Sequence, residues 1–131
     1  MGAWGHNFDE NDSALDWFGD FGAAPAWETV EVALRTALAS AYAYLELDEG
    51  SAALAAAEIV AAGIGRASPR LPADAMTWAQ SNSEGAMPLR DTAREAILAV
   101  RDGGELHELW HEGGEPVEWL ATIDELHSRL S

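Results

Sequence analysis

The chain has 131 residues, enough for one ordinary domain. Its 23 acidic residues face seven arginines and no lysine, a formal charge of −16; direct nucleic-acid binding is excluded, because neutralising phosphates requires clustered cations. There is no cysteine, which removes disulfides, thiolate metal sites and thiol nucleophiles and fits a reducing, cytoplasmic setting.

No basic leader is visible at the start, and the first apolar stretch is broken by His6, Asp9, Asp12 and Asp16. Residues 1–11 read as a non-helical arm: Gly2 and Gly5 allow a tight path, and Trp4, Phe8 and Trp17 dock it on the rest. Asp12-Ser13 is the expected N-cap of a first helix in which Leu15, Phe18 and Phe21 fall on neighbouring turns. The residues Trp4, Phe8, Asp9, Asp12, Asp16 and Trp17 form the candidate binding constellation; the structural alternative is a tethered terminus closing one end of the core. A calcium loop starting at Asp9 fails, because Ala14 stands where the turn needs glycine.

Pro25 is expected to open a longer second helix with Trp27, Val30, Leu34, Leu38, Ala41 and Leu45 on one face. Asp48-Glu49-Gly50-Ser51 is a turn and start signal for a third helix over about 52–62, alanine-rich and ended by Gly63 and Gly65. This most apolar segment carries Glu58 and is too short to span a bilayer, so no membrane partner is expected. GRASPRLP is a loop, residues 73–80 a short helix, and SNSEGAMP a loop again. Pro88 introduces a fifth helix through Val100, with Ala93, Ile97 and Val100 inward. HELWH makes a short sixth, closed by Gly113-Gly114. Pro116 starts the last helix, with Val117, Leu120, Ile123, Leu126 and Leu130 as its buried stripe. Two-residue alternation is not sustained anywhere. The expected fold is all-α, a single domain over 1–131 built as a bundle of six or seven helices behind the N-terminal arm.

Residues 107–111 spell His-Glu-x-x-His, in which His107 and His111 would ligate zinc and Glu108 would act as general base. A catalytic zinc needs a third protein ligand, and the longer pattern that Gly114 could continue places it at Val117. No strand is expected beside this helix. The structural alternative packs Leu106, Leu109 and Trp110 inward and leaves the histidines and glutamates in water. No phosphate loop or dinucleotide fingerprint accompanies the motif, so no cofactor is expected.

The opening MG-x-WG…F-D…N-D-x-A-x-D-W resembles an uncharacterised bacterial domain-of-unknown-function family of small acidic proteins. Gly2, Trp4, Gly5, Phe8, Asp9, Asn11, Asp12, Ala14, Asp16 and Trp17 carry the likeness, joined by the Ala55-Ala56-Ala57-Glu58 and Glu105-Leu106…Glu108-Leu109-Trp110 runs. The chain departs from that pattern in an extra residue, Glu10, and in having Asn7 where glycine is common before the Phe. The resemblance implies a helical fold and bacterial origin, and neither an activity nor a His-Glu-x-x-His metal site. The expected function is a non-enzymatic protein-interaction module for a basic protein, in its most concrete form an immunity- or antitoxin-like inhibitor. The alternative is a small zinc-dependent hydrolase using HELWH. With six tryptophans, self-association through an exposed aromatic patch is a further expectation.

Overall fold

The structure is a computed structural model and describes residues 5–131, the side chain of Ala41 apart. The first four residues, Trp4 and Gly2 among them, lie outside the described residues. The described residues hold seven α-helices and no strand: α1 (Asp12–Ala23), α2 (Trp27–Leu38), α3 (Leu47–Gly63), α4 (Ala73–Ser81), α5 (Arg90–Asp102), α6 (Glu105–His111) and α7 (Val117–Arg129). None of these helices is long and apolar enough to cross a membrane.

The architecture is organised around α3. Every residue from Ala53 to Ala62 is buried, and α1, α2, α4, α5, α6 and α7 all pack against it. Because six of those residues are alanines, neighbouring backbones approach closely. Leu34, Ile59, Ile97, Ile123 and Leu130 fill the volume that the methyl groups leave. The helix ends in a Schellman motif: Gly65, at φ +89°, turns the chain so that its N–H donates to Ala62 and that of Arg66 to Ala61.

Several boundaries differ from the sequence-based expectation. The cap of α1 is Asn11, not Asp12: its side-chain oxygen accepts from the Ala14 N–H at 3.1 Å while its amide donates to Ser51 on α3 at 2.9 Å. This buried tie seats the start of α1 on α3: Phe18 and Phe21 are buried as expected, while Ala14 is buried in place of Leu15, which is exposed. Pro25 lies ahead of α2, whose N-cap is Ala26. That helix stops at Leu38, passes into a 3₁₀ turn (Ala39–Ala41), and leaves Leu45 buried in the connection. There the Leu45 carbonyl accepts from the Glu105 N–H at 2.8 Å, a tertiary contact that wins over the local helical spacing.

The third helix begins earlier than expected, at Leu47, because Glu49 reaches back to accept from the Glu46 N–H at 3.0 Å and Glu105 accepts from the Leu47 N–H at 2.9 Å. Residues 83–89 form two 3₁₀ turns, and α5 follows from Arg90. On α7 the buried stripe runs through Trp119, Ile123, Leu126 and Leu130; Val117 is exposed and Leu120 half-buried. Trp119 takes the place because its indole stacks on Trp110, with centroids 6.1 Å apart at 12°.

Candidate functional site

The N-terminal arm lies over one side of α7 and α3. Between them is a cleft of about 390 Å³ bordered by His6, Phe8, Arg70, Trp119 and Thr122, with Glu58 and Arg129 at its inner wall. The Glu58 side chain is 4 % exposed and Arg129 18 %. Arg129 spans both Glu58 oxygens in a fork, and its Nε donates to Glu125 at 2.6 Å. Burial pushes the Glu58 carboxyl above its ordinary range, and the hydrogen bonds from Arg129 hold that rise back. Burial also disfavours the charged guanidinium, but its bonds to Glu58 and Glu125 outweigh this and raise Arg129. The pair is thus a closed unit, with each charge answered inside the fold.

The arm itself is pinned by charge and by aromatic contacts. Arg70 donates to Asp9 at 2.6 Å. Glu10 turns back, accepts from the Asn7 amide at 2.6 Å, and sits where a Cβ on Gly5 would collide with it. That hydrogen bond holds the Glu10 carboxyl below its usual range. Phe8 meets Phe18 edge-on at 6.0 Å; Trp17 meets Phe18 edge-on at 5.6 Å and stacks on Phe21 at 5.3 Å. Phe8 and Trp17 therefore belong to one aromatic row through Phe18. Asp9 is tied to Arg70, whereas Asp12 and Asp16 are exposed on α1 and join neither contact. The six-residue constellation expected from the sequence is thereby divided, with Trp4 outside the described residues.

The histidines of HELWH are half-buried instead of free in solvent. Their rings stack at 4.0 Å, and His111 stands edge-on to Trp119 at 6.3 Å. Nδ1 of His107 lies 2.6 Å from the Arg101 carbonyl oxygen and Nδ1 of His111 2.8 Å from that of His107. Both Nε2 atoms are thus clear of those contacts, as ligation would need, but among the described residues no group of three His, Cys, Asp or Glu is placed to hold a metal ion. The carboxylates bordering the same hollow, Asp102 and Asp124, lie 2.8 and 3.8 Å from the Arg101 guanidinium. Glu108 is turned elsewhere, accepting from the Tyr44 hydroxyl at 2.8 Å.

A second hollow, about 630 Å³, runs between α1, α2 and the first turn of α3. Its floor is Trp17, Ala33 and Ala52, its side wall carries Val32 at 62 % exposure, and its rim is Glu28, Asp48 and Glu49. No arginine lines it. Asp12, Asp16 and Asp20 continue the acidic character along α1 at four-residue intervals, all exposed. Like charges so spaced on a helix repel and cost it stability.

A family model described as Domain of unknown function (DUF4259) matches residues 2–122. The chain belongs to this family. No curated protein and no solved structure matches it. The DUF4259 region takes in the arm, the 630 Å³ groove and α6, and stops within α7 at Thr122, so Arg129 lies beyond the matched residues while its partner Glu58 lies inside them.

Two features of this DUF4259 chain escaped the sequence reading. Glu58 is the one acid in the apolar 52–64 run, a signal that it needs a buried cation, but nothing in the spacing points to Arg129 as that cation. The groove residues Glu28, Val32, Asp48 and Glu49 come from separate segments and are assembled by packing alone.

Proposed function

We propose that the protein is a non-enzymatic interaction module for a basic protein partner, in its most concrete form an immunity- or antitoxin-like inhibitor whose acidic surface covers a cationic, nucleic-acid-binding face. One observation carries the reading: six of the seven arginines are spent internally, and the seventh, Arg94, is half-buried on α5 with its Nε enclosed and without a partner among the described residues. Arg35 pairs with Glu31, Arg70 with Asp9, Arg90 with Asp91, Arg101 with Asp102, and Arg129 with Glu58 and Glu125. Arg66 donates to the carbonyl oxygens of Arg129 and Ser131. The exposed acids Asp12, Asp16, Asp20, Glu28 and Asp48 make no ion pair among the described residues. Their negative potential is therefore directed outward, where it attracts and orients a positive protein surface.

The test is purification from the native host at low and high ionic strength, with mass spectrometry of what is retained. A basic protein held at low salt and released at high salt is expected, followed by inhibition of that protein's activity by the purified chain. Retention of no basic protein at low salt overturns the reading.

A further inference from the structure

The groove between α1, α2 and the start of α3 has a shape and polarity that narrow the partner further. Its floor is apolar and aromatic, and its upper edges carry carboxylates with no arginine among them. Among the large aliphatic side chains Val32 is the most exposed after Val117, and it borders the groove instead of standing alone on a polar face. A purely electrostatic surface has no need of this apolar seat, and a purely apolar cavity has no need of the acidic rim. Together they complement a ligand that is apolar on one side and cationic along both flanks, which is the cross-section of an amphipathic helix with Leu or Met at three- and four-residue spacing and Lys or Arg beside them. The long aliphatic stems of Lys and Arg would lie across Val32 and Thr29 while their charges reach Glu28 and Asp48.

Other binding modes fit less well. The described residues contain no strand, so no sheet edge is offered for an added strand. The cleft beneath the arm is smaller, and its buried charges already answer one another. The exposed Asp12, Asp16 and Asp20 extend the negative potential beyond the groove along α1. They provide a path along which a cationic helix longer than the groove is attracted.

We infer that this groove seats a basic amphipathic helix of the partner, with Trp17, Ala33 and Ala52 receiving its apolar face and Glu28 and Asp48 its cations. The inference rests on the proposed function and can fail separately from it. The probe is a leucine–lysine peptide of about five helical turns with leucines at helical spacing, compared with a peptide of the same composition in scrambled order. The arranged peptide is expected to bind about tenfold more tightly than the scrambled one at physiological salt. It is also expected to shift the Trp17 indole N–H resonance. Val32→Lys and Thr29→Trp alter exposed groove positions, leave the core intact, and are expected to weaken the arranged peptide about tenfold. Glu115→Lys, away from the groove, is expected to change its affinity little.

Equal binding of the two peptides, or indifference to both groove substitutions, overturns the groove while leaving a diffuse acidic interaction surface intact. A salt-sensitive native partner that binds Val32→Lys as well as wild type overturns it in the same way. Loss of all basic partners from the native purification instead removes the proposed function itself.

Discussion

Arg129 lies 71 residues from Glu58 in sequence and closes a two-point fork on its carboxylate, Nη1 at 3.0 Å from one oxygen and Nη2 at 2.9 Å from the other. Removing the cation leaves a carboxylate that is almost wholly buried in the alanine-rich helix. Arg129→Met is expected to cost about 3–5 kcal/mol in chemical denaturation at neutral pH. Burial raises the folded-state value of Glu58 above its unfolded value. The folded chain therefore holds this proton more tightly than the unfolded chain, and the Glu58 contribution to stability falls as pH climbs from the ordinary carboxylate range to the raised value. The penalty of Arg129→Met should shrink on acidification as Glu58 becomes neutral. A loss that grows on acidification contradicts this account.

Tyr44 donates to Glu108, and this bond is the main cause of its phenol being pushed up to about 12; desolvation and the charges of Glu108, Glu105 and Glu46 add to it. Glu108→Ala, read by tyrosinate absorbance in a Tyr42→Phe background, should lower the Tyr44 midpoint toward the ordinary phenol value of about 10. An unmoved midpoint shows that the hydroxyl is not held by Glu108 in solution.

Gly104 stands at φ +96°, and a Cβ there would lie 2.8 Å from both the Cβ and the carbonyl oxygen of Leu45. Gly114 has φ +115° with nothing close to an added Cβ. Gly104→Ala should therefore cost more than Gly114→Ala, the second bearing only backbone strain of about 1–3 kcal/mol and the first adding a clash with backbone. Thermal or denaturant unfolding of the two variants gives the comparison, and equal losses would show that the Leu45 approach is relaxed in solution.

Zinc addresses the HELWH alternative directly. Protein purified without a histidine tag and dialysed is expected to retain far less than one zinc per chain, because the neighbouring carboxylates are paired with Arg101 and Glu108 with Tyr44. Stoichiometric zinc that disappears on His107→Ala or His111→Ala would restore the hydrolase reading.

The helical class and the placement of most helices were legible because Val30, Leu34, Ala93, Ile97, Ile123 and Leu126 recur at turn spacing, and such repetition is a local property of the chain. Three of the departures depend on distant partners. Asn11 became the cap because Ser51 lies beneath it, Leu45 left the helical row because Gly104 and Glu105 lie beside it, and Val117 yielded to Trp119 because Trp110 offers a face for stacking. The candidate site was less legible for the same reason. Phe8 and Trp17 announce themselves as aromatics among glycines and acids, but the rim of Glu28 and Asp48 exists only after α2 and α3 have docked.

The alanine-lined central helix has an evolutionary corollary. A segment hemmed in on every side by its neighbours' backbones has no spare room, so each added methylene forces displacement in several directions at once. Sequence drift is thereby channelled to the periphery. Enlarging Ala53, Ala55, Ala56, Ala57, Ala61 or Ala62 should therefore be tolerated far less readily than replacing the outward-facing acids, so that the surface chemistry can change while the axle stays small.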